Sequence, residues 1–176
     1  GTDETKHHVL VTFANKYLGG GLLEHGFAQE EIAGCQLPAY AFICHKFENS
    51  KTPLITRIGG DKPGEGTPNP VYMTGLHRTH RYHPTFYAWA SLEKWEESDT
   101  TSVSQVSNED STKSVNVVAI AAPSLKTILK DPKTDKRAKD SIVVKDLFTS
   151  ALAGFQLAKE NAGDKACVIH TGMLGA

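Results

Sequence analysis

Two adjacent glutamates, Glu30 and Glu31, follow a run of three glycines, and this spacing is the feature of the chain best suited to chemistry. Consecutive glycines cost backbone entropy and offer no side chain for packing, so they favour a place where main-chain N–H groups approach something closely. The run lies between an apolar, strand-like segment at residues 9–13 and a helix-like segment at residues 27–35. In α/β proteins such a turn typically binds phosphate. The sequence therefore predicts an anion-binding turn with two carboxyl groups beside it.

A carboxyl group in this position can act as an acid and a base. Hydrolysis of a glycosidic bond is one example of such chemistry: it passes through an oxocarbenium-like centre and needs a proton for the leaving oxygen and a base for water. Because adjacent helical residues point about 100° apart, Glu30 and Glu31 cannot flank one bond from opposite sides. One of them would then serve as both acid and base, while the other positions the ligand. The competing interpretation is that both simply complement the helix dipole.

Bulk properties set broad limits. The 176 residues suffice for one domain with a buried core. A net charge of −1 indicates neither a nucleic-acid-binding nor a membrane-binding surface, so an anionic ligand must be held by local geometry. The three cysteines show no metal or redox spacing, which favours reduced thiols and an intracellular location. No signal peptide and no long apolar run is recognisable.

Short apolar segments alternate with helix-like ones, which predicts an α/β sheet with ligand loops at one edge. Gly34 and Pro38 are expected to help end the first helix, and Ala39–Cys44 is a candidate second strand. Two polar segments, residues 48–70 and 96–116, are predicted to be long loops. The other predicted strands are residues 115–121 and 166–169, and residues 144–161 form an amphipathic helix.

The glycine–glutamate pattern resembles the signature of poly(ADP-ribose) glycohydrolases, in which three glycines and a short spacer precede Gln-Glu-Glu. Here the spacer is seven residues, Leu22–Ala28. Three further segments resemble the family in the same order: Val11–Asn15, Val118–Ile120 and Val168–Gly172. The resemblance implies one macrodomain-like domain over residues 1–176, with a mixed sheet flanked by helices. Because the chain stops inside the second glycine-rich loop, this domain is expected to be a fragment, incomplete at both ends.

The resemblance also implies roles around the first glycine-rich turn. Glu31 would be the acid/base, Glu30 would contact ribose hydroxyls, and Gln29 would orient the site. Asn15 would contact the terminal ribose. The turn itself would hold the ligand through Gly19, Gly20 and Gly21.

The second loop would embrace the diphosphate through Thr171, Gly172 and Gly175. It departs from the family because side chains expected there are replaced by Met173, Leu174 and Ala176. Backbone N–H contacts are compatible with these replacements, whereas side-chain contacts to the diphosphate are in doubt.

An aromatic side chain is expected to stack on adenine, an interaction of roughly 1–3 kcal/mol per base. Tyr72 is the first candidate because it lies just before Thr74-Gly75, and Phe86 and Tyr87 are rivals. Plain core packing of Tyr72 is an equally open alternative.

His77, His80 and His83 recur at helical spacing, but without an acidic or thiol ligand they favour a basic loop over a zinc site. No metal or other cofactor is predicted. The expected ligand is ADP-ribose or an ADP-ribosylated protein, with no direct nucleic-acid or membrane contact, and nothing indicates an oligomeric state.

The resulting hypothesis is a hydrolase that cleaves the O-glycosidic bond of ADP-ribose units on poly- or mono-ADP-ribosylated protein. The alternative is a non-catalytic module that binds ADP-ribose, which the replaced second loop favours and the intact glutamate pair opposes. A third interpretation is an enzyme for another phosphate-containing ligand, such as a sugar nucleotide.

Overall fold

The computed structural model describes residues 5–19, 22, 29–48, 50–60, 64–82, 103–105, 114–122 and 136–171. These residues form a mixed α/β arrangement. Its elements, in chain order, are β1 (Lys6–Ala14), α1 (Gln29–Gln36), α2 (Pro38–Glu48), β2 (Arg57–Ile58), β3 (Thr67–Pro68), β4 (Val71–His77), β5 (His80–Tyr82), β6 (Val103–Gln105), β7 (Ser114–Ala121), α3 (Lys136–Ala162) and β8 (Ala166–His170).

The main sheet has four strands in the order β4-β7-β1-β8. The central strand β1 runs parallel to both β7 and β8, whereas β4 runs antiparallel to β7. Two small antiparallel pairs, β2–β3 and β5–β6, lie outside this sheet. The mixed sheet that was predicted is therefore confirmed.

Successive residues of a strand point to opposite faces of the sheet, and in the central strands the residues on both faces are mostly apolar. Helices therefore cover both faces of the sheet. On one face, α2 packs on the sheet; this core includes Ala14, Leu37, Tyr40, Cys44, Val117 and Ala119. On the other face α3 packs; this core includes Val9, Val11, Val118, Ile120, Ala151 and Ala158. The result is a three-layer structure in which β1 and β7 are buried between helices.

Most predicted elements are confirmed, with boundaries shifted by a few residues. Residues 9–13, 115–121 and 166–169 lie in β1, β7 and β8, and residues 144–161 lie in α3. The prediction of a strand at Ala39–Cys44 is wrong, since this segment belongs to α2. Tyr40 and Cys44 are one helical turn apart and both are buried, which is the spacing of a helix face. Pro38 begins α2, a position that suits proline, and Gly34 lies inside α1.

The predicted loops contain short strands. Residues 48–70 include β2 and β3, and residues 96–116 include β6 and the start of β7. His77 ends β4 and His80 begins β5, so these two histidines lie on strands; His83 is outside the described residues.

One segment of α3, Asp140–Ala162, is long and apolar enough to cross a membrane by length and composition alone. A core helix of a globular protein meets the same criterion. Here Ala151 and Ala158 pack on the sheet, and Asp146 is buried in an ion pair with Arg57. One face of α3 thus packs on the sheet, while Ile142, Val144, Phe148 and Leu152 are exposed on this helix.

The contact between α3 and β7 leads to a stability prediction at Gly154. A Cβ added at Gly154 would overlap Cγ2 of Ile120, closer than real Cβ contacts. Ile120 is β-branched and buried, so its side chain has little room to move. Overpacking costs about 1–3 kcal/mol, whereas replacing a helical glycine by alanine gains about 1 kcal/mol. We expect Gly154→Ala to lower the free energy of unfolding by about 1 kcal/mol in urea denaturation.

Gln156→Ala is the matched control, because Gln156 is exposed on the same helix and its substitution should leave the midpoint nearly unchanged. A Gly154→Ala variant as stable as the parent would show that α3 does not approach β7 this closely.

Candidate functional site

The carboxyl ends of three parallel strands, β1, β7 and β8, face the same edge of the sheet. Asn15 follows β1 and Thr171 follows β8, and both are exposed. They are not at the same level, because β8 ends where His170 pairs with Leu10. At about 3.3 Å per residue, Thr171 lies roughly 13 Å short of Asn15 along the strand direction. Asn15 is therefore the outermost of the two at this edge.

The glycine-rich turn begins four residues after Asn15. Gly19 has φ of 102°, a left-handed conformation that favours glycine. A Cβ at this position would also lie 2.8 Å from Cβ of Cys44, so α2 approaches the turn too closely for any side chain. The carbonyl of Gly19 accepts a hydrogen bond from the Leu22 N–H at 2.9 Å, which tightens the turn.

Glu30 connects this turn to both helices. Its side chain is only 2% exposed, and Oε1 accepts a hydrogen bond from the Gly19 N–H at 2.7 Å. The same oxygen accepts a second bond from the Tyr40 hydroxyl at 2.6 Å. One carboxyl oxygen on α1 thus holds the glycine turn and the first turns of α2 together.

Burial raises the pKa of Glu30 from 4.5 to about 7. The hydrogen bonds from Tyr40 and Gly19 oppose this increase, and the charge of Glu31 adds to it. Glu30 is consequently balanced between its neutral and charged forms near neutral pH.

Glu31 lies beside Glu30 in the first turn of α1 and is 8% exposed. Because neighbouring helical side chains diverge by about 100°, Glu31 faces a different direction from the bonded Oε1 of Glu30. The structure therefore brings the two predicted carboxyl groups together, and Glu30 holds the glycine turn through its hydrogen bonds.

Tyr40 and Cys44 were not predicted as part of the site. Tyr40 is fully buried, and burial together with the nearby Glu30 charge raises the pKa of its phenol. The same two causes raise the pKa of the Cys44 thiol to about 12. Thr12, also fully buried, lies beside the phenol. The sequence feature that could have revealed these two residues is their separation of four residues after Pro38, which places them on one face of a helix.

The segment between Asn15 and Gly19 is fixed by residues 54–56. The Leu18 N–H donates to the Leu54 carbonyl at 3.0 Å, and the Thr56 N–H donates to the Lys16 carbonyl at 2.8 Å. The Thr56 hydroxyl donates to the Asn15 carbonyl at 2.7 Å. Asn15 and Gly19 are thereby held in one braced turn.

Tyr72 is not brought to this turn. It pairs with Val118 in the sheet, so strand alternation places its side chain on the face covered by α3, opposite Tyr40. Its hydroxyl lies 2.6 Å from Nε2 of His7, at the amino end of β1. This placement agrees with the core-packing alternative, and stacking of Tyr72 on adenine finds no support in it.

Several predicted positions lie outside the described residues: Gly20, Gly21, Gly172, Gly175, Phe86 and Tyr87. Gln29 is the first residue of α1. Within the described part of the chain, no group of three or more His, Cys, Asp or Glu residues is arranged to hold a metal ion.

The raised pKa of Glu30 predicts how stability depends on pH. Since the folded protein favours protonated Glu30, this stabilisation is complete below pH 4.5 and is lost as the pH rises through about 7. One pKa unit corresponds to about 1.4 kcal/mol, so Glu30 should lower the free energy of unfolding by about 3 kcal/mol between pH 4 and pH 8. Urea denaturation across this range measures the effect.

Glu30→Gln is the comparison, because its amide oxygen can accept both hydrogen bonds but does not titrate. Subtracting the two pH profiles removes contributions from other groups, including His7, whose pKa is lowered by burial and by Lys165 and His8. If the free energy of unfolding depended on pH in the same way in the parent and in Glu30→Gln, the raised pKa of Glu30 would be contradicted.

Comparison with known proteins adds an independent observation. Residues 2–57 match the family model described as poly(ADP-ribose) glycohydrolase, macro domain fold. No curated protein matches the chain. The matched third of the chain contains β1, the glycine turn, the glutamate pair and α2. The resemblance to this family is thus confirmed over residues 2–57, and the mixed sheet between helices agrees with its macrodomain fold.

Proposed function

We propose that this chain is an ADP-ribose glycohydrolase that hydrolyses the O-glycosidic bond of ADP-ribosyl units attached to protein. The observation that carries the proposal is the buried pair Glu30–Glu31 at the start of α1, with Glu30 bonded to the glycine turn. This pair lies inside the segment that matches the glycohydrolase family.

In the proposed reaction, Glu31 donates its proton to the leaving oxygen while the bond from that oxygen to C1″ of the ribose breaks. The resulting carboxylate then removes a proton from water, whose oxygen forms the new bond to C1″. Glu31 regains its proton, and free ADP-ribose and the acceptor hydroxyl are released. General acid–base catalysis of this kind contributes about 10²–10⁴-fold to the rate.

Glu30 is less suited to this role despite its raised pKa. Its Oε1 already accepts two short hydrogen bonds, from Gly19 and Tyr40. Moving this oxygen towards a substrate would leave a buried N–H and a buried hydroxyl without an acceptor, at about 1–3 kcal/mol each. We therefore assign Glu30 to holding the turn. Proton transfer is assigned to Glu31 because the resemblance to the glycohydrolase signature implies it, and the ribose hydroxyl contact of Glu30 is kept as an additional proposal.

Asn15 and the backbone of the glycine turn would hold the terminal ribose and phosphates. Asn15 is exposed at the carboxyl edge, where ligands of α/β sheets usually bind. The braced turn gives Asn15 and Gly19 a fixed separation before ligand arrives, which lowers the entropic cost of binding.

The test is release of free ADP-ribose from poly- and mono-ADP-ribosylated protein, with Glu31→Gln compared to the parent. We expect Glu31→Gln to reduce kcat by about 100-fold or more, because an amide cannot donate the proton. Its affinity for free ADP-ribose should remain within a few-fold of the parent, as measured by calorimetry. The consumed substrate identifies polymer or monomer specificity.

Glu160→Gln is a matched control, since Glu160 is exposed on α3, and it should keep full activity. Loss of activity in Glu30→Gln with retention in Glu31→Gln would reverse the two roles. Binding of ADP-ribose without release would indicate a binding module, and neither binding nor release would overturn the proposal.

A further inference from the structure

A buried ion pair lies apart from the glutamate site, between β2 and α3. Arg57 is 3% exposed and Asp146 is 7% exposed. Nη1 of Arg57 donates to Oδ1 of Asp146 at 2.9 Å and Nη2 donates to Oδ2 at 2.5 Å, which is a two-pronged pairing. Nη1 also donates to the Glu65 carbonyl at 2.7 Å, and the Gly64 N–H donates to Oδ1 of Asp146 at 3.3 Å. The pair thus fastens the start of β2 and the loop that precedes β3 to α3.

Such a pair is poorly explained by stability alone. Removing two charges from water is costly, and apolar residues of similar volume often stabilise a core at least as well. A two-pronged guanidinium–carboxylate contact instead fixes the orientation of the two side chains relative to each other. The guanidinium is also enclosed, so it is not offered to an anionic ligand directly.

Arg57 follows directly after residues 54–56, the segment that holds the chain from Asn15 to Leu18 in place. We call residues 54–56 the brace of the glycine turn. Thr56, the neighbour of Arg57 in the chain, bonds to the Asn15 carbonyl through its hydroxyl and to the Lys16 carbonyl through its N–H. Asn69, which follows β3, bonds back to the same segment: its side-chain amide donates to the Ile55 carbonyl at 2.6 Å and its N–H donates to the Thr56 carbonyl at 2.8 Å. A continuous set of contacts therefore runs from Asp146 on α3 through Arg57 and Thr56 to Asn15.

We propose that Arg57 and Asp146 are positioning residues that set the place of Asn15 and Gly19, and through them the affinity for ADP-ribose. The proposal rests on the function proposed above. The hydrogen bonds of Arg57 and Asp146 go to each other, Ser150 and residues 64–65, and both side chains are enclosed away from solvent. Their loss should therefore weaken binding while leaving proton transfer by Glu31 intact.

The experiment uses the double variant Arg57→Met/Asp146→Leu, which removes both charges and leaves neither one buried alone. Steady-state kinetics of ADP-ribose release should show an increase in KM of about tenfold, equivalent to about 1.4 kcal/mol, with kcat within about twofold of the parent. Amide hydrogen exchange gives a readout that does not need activity. The Leu18 and Thr56 amides, which bond across the brace, should exchange about tenfold faster, while the β1 amides should be unchanged.

Lys159→Met is the matched control, because it removes a charge from an exposed position on the same helix. It should alter neither KM nor the exchange of Leu18 and Thr56. Should the double variant fail to fold, Arg57→Lys serves instead, since lysine keeps the charge but lacks the two-pronged geometry.

Unchanged exchange of Leu18 and Thr56 in the folded double variant would overturn the proposal. So would an unchanged KM, or a fall in kcat at constant KM. If the parent neither binds nor releases ADP-ribose, the proposed function fails, and hydrogen exchange still decides whether the ion pair holds the turn.

Discussion

The site depends on the two hydrogen bonds that Oε1 of Glu30 accepts from Gly19 and Tyr40. A carboxyl group that is almost fully enclosed is costly to bury unless it is hydrogen-bonded. Here the bonds come from a left-handed glycine and from a phenol on the next helix, so the carboxyl group, the turn and α2 must be placed together. Cys44 enforces the same arrangement sterically, because it leaves no room for a Cβ at Gly19.

The sheet and the β2–β3 hairpin supply the remaining constraints. β1 is buried between its neighbours and delivers Asn15 to the carboxyl edge, while residues 54–56 hold the chain from Asn15 to Leu18. Glu30 fixes the turn from α1, and the hairpin, fastened to α3 by Arg57 and Asp146, fixes it from the other side. A glycine-rich turn is otherwise conformationally costly to order. The contacts from Glu30 on α1 and from residues 54–56 therefore set the geometry of the turn.

Local patterns allowed part of this to be predicted. Apolar runs identified β1, β7 and β8, and the spacing from Gly19 to Glu30 and Glu31 predicted that the glycine turn and the glutamates lie side by side, because these signals lie within short stretches of chain. Tyr40 was missed because the apolar segment Ala39–Cys44 is short enough to suit a strand or a helix. Arg57 and Asp146 are 89 residues apart, and no local pattern links them. The side that Tyr72 faces depends on its register with Val118, which only the pairing of strands determines.

The most direct measurement is a crystal structure of the Glu31→Gln variant with ADP-ribose bound. We expect the terminal ribose to lie against Asn15 and the glycine turn, with C1″ next to the side chain at position 31. Glu30 should remain bonded to Gly19 and Tyr40. A ligand bound elsewhere, or Glu30 withdrawn from Tyr40 and facing C1″, would contradict the roles proposed for Glu30 and Glu31.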